Sequence, residues 1–394
     1  MHKENLMEYI LMFQNIEVAL MEIDPDPEIS SYVVSLRAIN ERYLPFSIRQ
    51  APDVYKLAEA SLWVKNRCIP KHRLGLKAIS SELGGTPLRW MLKSHGASAQ
   101  DGYWLKKPND KITWPEISVF HRKFDYSVGN LIFDMTSPEY IFDSPDLTTG
   151  GIMPKTWRVK DDKLFLIKHG TAPDYQEPYN EKMASVILSK ICPVPFVKYD
   201  LIAVQEYVCS ICENFMNEDL ALITASELMR TEPKPEYLTS MMHLKERCRT
   251  YKIPGYKDFL DYMTMADYII GNTDRNFGNF GFLYDVEHLR FIGPAPIYDN
   301  GTAFWDADFD LSNEECMQKD QKYAKALIYD ASHHFNPNLH QLSDLEELLY
   351  QGLGTIYTQD QLSQIYERMS NKIDFIEHYI ERSRTKKRDR GIER

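Results

Sequence analysis

The sequence predicts an α+β chain of two lobes, a β-rich one followed by a helix-rich one, behind an N-terminal accessory region. Three observations carry this. Runs rich in β-branched and aromatic residues concentrate between residues 141 and 210. Apolar positions at helical spacing dominate after residue 219. The helical block also holds two polar loops, "GNTDRNFGNFGF" at 271–282 and "PIYDNG" at 296–301. A block of strands followed by a block of helices is the pattern of an α+β architecture.

Taken in order, residues 5–23 carry apolar positions at mixed spacing that fit helix or strand, and "DPDPE" at 24–28 ends the element. Residues 53–66 read as a helix with Asp53 as its cap and Leu57, Ala60, Leu62 and Val64 on its apolar side. Loops follow at 84–86 and 94–102, and Trp90, Trp104, Trp114 and Phe120 give this region bulk enough for a small core. Residues 1–140 therefore form an accessory domain, to which the sequence assigns no role. From 141 to 210 a turn-rich segment leads into the β-like run "KLFLIKHG", the helix "YNEKMASVILSKI", and two further β-rich runs in "VPFVKYDLIAVQEYVCSIC". From 211 to 384 the pattern is largely helical, with "YKDFLDYMTMADYII" just before the first polar loop and a capping pair, Thr358 and Gln361, opening the last helix. Residues 385–394 are a basic tail.

Composition narrows the function. At 394 residues, with 43% hydrophobic and 26% charged, the chain has ordinary globular make-up. A net charge of -11, from 57 acidic against 46 basic residues, argues against direct nucleic-acid binding or attraction to acidic membranes, which need clustered Lys and Arg. The stretch Arg382–Arg394 is the exception and reads as a frayed, solvated terminus. Of the cysteines, only Cys209 and Cys212 form a C-x-x-C, with no second pair at zinc spacing; they read as small core residues in a reducing compartment. Glu4, Glu8, Glu17 and Glu22 interrupt the N-terminal apolar stretch, which excludes a signal peptide, and no apolar run has membrane length. A cytoplasmic location is expected.

The two polar loops hold the chemistry. Asp274 and Asn279 stand at the two ends of the first, and the hairpin-like "FLYDVEHLRFI" returns Asp299 close to both. Two carboxylates and an amide oxygen, with no His or Cys cluster, form a hard, oxygen-only donor set suited to Mg2+ and a phosphate-bearing substrate. Phosphoryl transfer needs one carboxylate to receive a hydroxyl proton, and an Asn and a second Asp to hold the metal. The five-residue step from Asp274 to Asn279 is the step between those residues in protein kinases. Singly, "NTDRN" and "YDNG" are good turn sequences; their combination and order carry the reading.

"NTDRNFGNFGF…PIYDNGTAF" resembles the catalytic and metal loops of the HipA-like serine/threonine kinases of bacterial toxin–antitoxin systems. It is more distantly similar to the loop of phosphoinositide kinases. The likeness covers roughly residues 140–384, and Asn276 stands where the family usually has His. It implies a two-lobed protein-kinase-like fold, ATP and Mg2+ as cofactors, Asp274 as catalytic base, and Asn279 and Asp299 as metal ligands. "TTGGIMPK", Thr148 to Lys155, then resembles the family's Gly-rich phosphate loop, with Thr149, Gly150, Gly151 and Lys155 toward the nucleotide. Lys168 resembles the strand lysine that meets the α- and β-phosphates, paired with Glu181; its alternative is an exposed strand lysine. Glu206, Tyr207 and Val208 fall where a hinge strand would offer backbone groups to adenine. Autophosphorylation is implied at Ser144, Thr148 or Thr149, and an antitoxin is implied as partner beside a protein substrate with Ser or Thr.

Two other classes of function fit less well. A nucleotide-binding pseudokinase serving as an interaction module is disfavoured by the complete Asp274, Asn279, Asp299 set. A small-molecule or lipid kinase is permitted by the phosphoinositide-kinase likeness, but the lipid version lacks an amphipathic basic segment. The acidic stretch 306–317 begins like an EF-hand loop, yet Leu311 replaces the required Gly and Met317 the bidentate Glu, so calcium is not expected there.

Overall fold

The computed structural model describes residues 6–26, 32–304 and 337–389, with side chains up to Glu381. The acidic stretch 306–317, with Cys316, and the end of the basic tail at 390–394 lie outside the described residues.

Within the stretch 5–23, open between helix and strand in the sequence, the described residues form a hairpin, β1 (Met7–Phe13) and β2 (Ile16–Ile23), turning at Gln14, whose φ is 50°. With β3 (Val33–Ala38) and β4 (Tyr103–Lys106) they make an antiparallel sheet in the order β3-β2-β1-β4. The mixed spacing has a simple cause. Successive side chains of a strand point to opposite faces, and here both faces are covered. Tyr9, Leu11 and Phe13 enter one apolar cluster, while Ile10 and Met12 enter another with Trp104 and Trp114. The Asp53–Asn66 helix is as expected, except that Asp53 does not cap it; it sits in the first turn and pairs with Lys56 at 2.8 Å.

The second sheet orders β5 (Lys155–Lys160), β6 (Lys163–His169), β8 (Tyr207–Glu213) and β7 (Asp200–Val204) as β5-β6-β8-β7, all antiparallel. Asp161 and Asp162 both have positive φ, 51° and 58°, in the two-residue β5–β6 turn, the conformation that matches the twist of a hairpin. The helix Glu177–Ile191 buries Met183, Ala184, Ile187, Leu188 and Ile191.

The expectation of a largely helical chain after residue 219 needs correction at its start. β9 (Leu220–Thr224) pairs with β10 (Gly281–Asp285), which pairs with β11 (Arg290–Pro294). β9 is only five residues long and becomes a strand because a hairpin distant in sequence supplies its hydrogen bonds. The helix Tyr256–Ile270 is buried nearly all round, apart from Lys257 and Asp258 at its start, because it lies between two cores. Phe259, Leu260 and Met263 face the cluster that also holds Leu11, Val18 and Phe282, and Tyr262, Met265 and Ile269 face one with Ile187 and Leu349. The N-terminal sheet thus shares its core with the β9–β11 sheet. The last helix extends from Gln359 to Asp389, so the backbone is helical where the sequence reads as frayed; Lys and Arg are good helix formers and carry the element on.

Candidate active site

The Tyr256–Ile270 helix ends at Gly271, whose φ of 66° is the left-handed conformation that closes helices and that glycine adopts without strain. The chain leaves directly into the first polar loop. Arg275, the residue after Asp274, organises it. Its guanidinium is held by Asp267 through two bonds, Nε to Oδ2 at 2.9 Å and a terminal nitrogen to Oδ1 at 3.0 Å. The same group donates to the Asn279 carbonyl at 2.9 Å, to the Tyr298 carbonyl, and to Asn300 Oδ1 at 2.5 Å. One buried cation therefore ties together both ends of the first loop and both neighbours of Asp299. Burial works against the charge of Arg275, but Asp267 outweighs it and the guanidinium is held above its ordinary pKa.

Asp274 is exposed, and its carboxylate is oriented by two amides. Asn276 Nδ2 donates to Oδ1 at 3.0 Å, and Asn279 Nδ2 to Oδ2 at 3.1 Å. The second amide also binds the Asp274 carbonyl at 2.8 Å, which turns the Asn279 side-chain oxygen away from the carboxylate. Asn276, the departure from the resembled pattern, thus orients Asp274.

Asp299 has a φ of 62°, a conformation that costs a non-glycine residue about 1–3 kcal/mol and persists only where neighbours fix it. Here Lys168 Nζ bonds its Oδ1 at 2.9 Å, and the Tyr199 hydroxyl receives its backbone N–H at 3.3 Å. Lys168 also meets Glu181 at 2.5 Å, and Ser210 donates its hydroxyl to the other oxygen of Glu181. Burial favours loss of the Lys168 proton, yet Asp299 and Glu181 hold its pKa well above the ordinary value. Lys168 in turn holds Asp299 well below the usual carboxylate range. The exposed-lysine alternative does not hold: Lys168 is 4% exposed.

The donor set fits Mg2+. Asn279 and Asp299 offer oxygens only, and two such ligands suffice for an ion that keeps its waters and binds substrate phosphates. Among the described residues there is no cluster of three or more His, Cys, Asp or Glu that could hold a metal by itself.

Upstream, Ser144, Thr148 and Thr149 are all buried. Ser144 Oγ bonds Asp146, Thr148 Oγ1 donates to the Ala97 carbonyl at 2.8 Å, and Thr149 Oγ1 donates to the Pro145 carbonyl at 2.7 Å while accepting from Trp157 Nε1. Gly150 and Gly151 lie at the surface beyond them. Gly151 has a φ of 89°, and a Cβ there would stand 2.4 Å from Lys155 Nζ, so a side chain would displace that amine. Lys155 is the cross-strand neighbour of Lys168.

One expectation fails. Glu206, Tyr207 and Val208 do not join the two lobes; Gln205 and Glu206 form the tight β7–β8 turn, and Tyr207 packs on His169 and reaches Asp134. Two β-rich runs in succession made the first join look like the hinge. The chain instead crosses from the second sheet to β9 through residues 214–219, where Asn214 bonds the Leu164 and Ala99 backbones and Phe215 stacks on Tyr298 at 5.9 Å. Asp267, Tyr199 and Ser210 also hold the site's residues in place and were missed. Asp267 lies one helical turn before the loop, the single carboxylate in the apolar stretch Met265–Ile270, and that was the readable signal.

The fold and this arrangement define a HipA-like kinase fold. HipA of Shewanella oneidensis MR-1, in a complex of HipA, HipB and operator DNA from a toxin–antitoxin system, superposes with a TM-score of 0.54 at 14% identity, covering 94% of this chain and 97% of that one. The Helicobacter pylori proinflammatory kinase CtkA matches with a TM-score of 0.43 at 15% identity, over 58% of this chain and 95% of that one. No protein-family model and no curated protein matches the sequence.

Proposed function

We propose that the chain is an ATP- and Mg2+-dependent kinase of the HipA type that phosphorylates a Ser or Thr hydroxyl of a protein. The observation that carries this is the Lys168 amine bridging Glu181 and Asp299, with Arg275 tying the Asp274–Asn279 loop to the residues on either side of Asp299. Lys168 is positioned by Glu181 to meet the α- and β-phosphates. Asp299 and Asn279 would hold Mg2+, which would offset the charge that develops on the transferring group. Asp274 orients the substrate hydroxyl and takes its proton as that oxygen bonds the γ-phosphorus. The bond from phosphorus to the β–γ bridging oxygen breaks, and the electron pair leaves with ADP. Exposure of Asp274 suits a macromolecular hydroxyl, which must reach the base from outside.

The Shewanella HipA complex supports an antitoxin partner here and a place in a toxin–antitoxin pair. Because that complex includes DNA, it lends no support to the expectation that nucleic acid is not bound. Among the described residues no helix is long and apolar enough to cross a membrane. Incubation with radiolabelled ATP and Mg2+ in a cell lysate is the test. Label in protein bands supports the proposal, label in an organic-soluble fraction supports a lipid kinase, and no label from an intact protein overturns catalysis.

A further inference from the structure

Arg73 lies in the N-terminal region and is 4% exposed. Its guanidinium has no carboxylate partner among the described residues. It donates instead to three successive carbonyls of the Gly-rich loop: Gly151 O from Nε at 2.9 Å, Gly150 O at 2.8 Å, and Thr149 O. The next residue continues the contact, with Leu74 N donating to Ile152 O at 3.0 Å. Burial lowers the Arg73 pKa to about 10, which still leaves it charged at neutral pH.

Four consecutive carbonyls are thereby drawn to one side. The N–H groups of Gly150, Gly151, Ile152 and Met153 make no hydrogen bond to the described residues. A run of free N–H groups is what anion-binding loops present to phosphate oxygens. A short glycine-containing loop has many other conformations, and in most of them its N–H and C=O groups alternate in direction. Holding the carbonyls fixes the opposite set.

We propose that Arg73 is a positioning residue for nucleotide binding: by gripping the carbonyls of Thr149, Gly150 and Gly151, it presents the loop's N–H groups to the phosphates. This rests on the kinase reading, and it gives residues 1–140 a function as part of the nucleotide site. A fork of donors is required, because a lysine is a point donor that cannot engage three carbonyls in one geometry.

The test uses the full chain and two independent readouts. The first is binding, with Mg2+–ATP and adenosine as probes, in wild type, Arg73→Lys and Arg73→Gln. Arg73→Gln should weaken Mg2+–ATP by about ten- to a hundredfold, as expected for losing hydrogen bonds to a charged group, and leave adenosine binding unchanged. Arg73→Lys should fall between, and the effect should enter KM more than kcat. Equal weakening of adenosine and ATP indicates general damage and overturns the proposal. The second readout is nicking by thermolysin ahead of Ile152 and Met153 in nucleotide-free protein, which should accelerate in both variants while the thermal midpoint holds. Unchanged nicking overturns the clamp whatever the ATP result. If wild type binds no ATP, the kinase reading and the nucleotide role of Arg73 fall together, while the nicking rates still decide whether it grips the loop.

Discussion

Lys155 and Lys168 are direct cross-strand neighbours on β5 and β6, two buried amines on one side of the same ladder. Their circumstances differ. Lys168 has Glu181 and Asp299 within bonding distance, and Lys155 has no carboxylate partner among the described residues. Burial, and after it the charge of Lys168, lowers the Lys155 pKa to about 7, although Asp299 opposes this. A surplus of buried positive charge of this kind is what the proposed binding of nucleotide phosphates would offset.

That shift has a sign for stability. In the unfolded chain a lysine titrates near ~10.4, so between about pH 7 and ~10.4 the unfolded state binds more protons and stability rises with pH. Below that window the native state carries the full cost of a buried ammonium. Lys155→Met should therefore stabilise the protein at pH 6, on the order of 3 kcal/mol after partial relaxation, and the gain should fade as pH approaches 10. Thermal denaturation across that range checks it; a gain independent of pH would refute the assignment. Nucleotide phosphates should also restore the Lys155 charge. Calorimetry of Mg2+–ATP binding at pH 8 in buffers of different ionisation enthalpy should then show proton uptake, absent in Lys155→Met.

Asp274→Asn should lower turnover by about two to four orders of magnitude, the range for loss of a general base, with Mg2+–ATP affinity kept. Asn276→Ala should lower it less, since one of the two orienting amides remains. Steady-state kinetics with the unphosphorylated protein acceptor as substrate measures both, and wild-type turnover in Asp274→Asn would remove that residue from the mechanism.

Asp299→Ala should abolish Mg2+-dependent nucleotide binding, whereas Asn279→Ala should only weaken it, because the amide is a neutral ligand. Calorimetry with and without Mg2+ separates them. Unchanged Mg2+–ATP affinity in Asp299→Ala would mean that this loop holds no metal.

Arg275→Ala breaks a buried ion pair and leaves Asp267 without its partner, a change that costs about 3–5 kcal/mol. Arg275→Lys should recover little, since the guanidinium serves five acceptors on four residues that an ammonium cannot reach together. Urea denaturation of the two variants gives the comparison, and near-wild-type stability in Arg275→Lys would show that charge alone suffices.

β6 and the Glu177–Ile191 helix were legible, β6 as the compact apolar run "LFLI" and the helix because Met183, Ile187 and Ile191 recur at helical spacing on its buried side. β5 was hidden in what reads as a turn-rich segment. The β1–β2 hairpin was not legible either, because apolar clusters on both sides erase the period of burial. β9 was missed because its pairing partner lies some sixty residues on, and a five-residue run says nothing of a distant edge. At the candidate site, the loop residues assigned to chemistry announced themselves as Asp, Asn and Gly between apolar runs. The supporting residues did not. Tyr199, Ser210 and Arg73 act through contacts with segments remote in sequence, and as isolated letters each reads as an ordinary core or surface residue. The hinge was misplaced for a related reason: which strand borders the crossing depends on sheet order, β5-β6-β8-β7, and a list of strands does not contain it.

Burial of Ser144, Thr148 and Thr149 sharpens the expectation of autophosphorylation. None of these hydroxyls can accept a phosphoryl group where it stands, since each is bonded inside the protein. A phosphate of nearly two negative charges also cannot be accommodated beside the Pro145 carbonyl. Modification therefore requires the segment to leave its packed position, and once made it prevents return. Thr149 would then release Trp157, whose indole N–H it holds at 2.9 Å. After incubation with Mg2+–ATP, mass spectrometry should find phosphate within residues 144–149 in wild type and none in Asp274→Asn. The modified protein should lose Mg2+–ATP affinity, and its near-UV circular dichroism should change as Trp157 becomes mobile. Arg73→Gln, which loosens the loop that continues this segment, should accumulate the phosphate faster per active molecule. A wild-type enzyme that phosphorylates its protein substrate yet stays unmodified at 144–149 after prolonged incubation would eliminate this mode of self-inhibition.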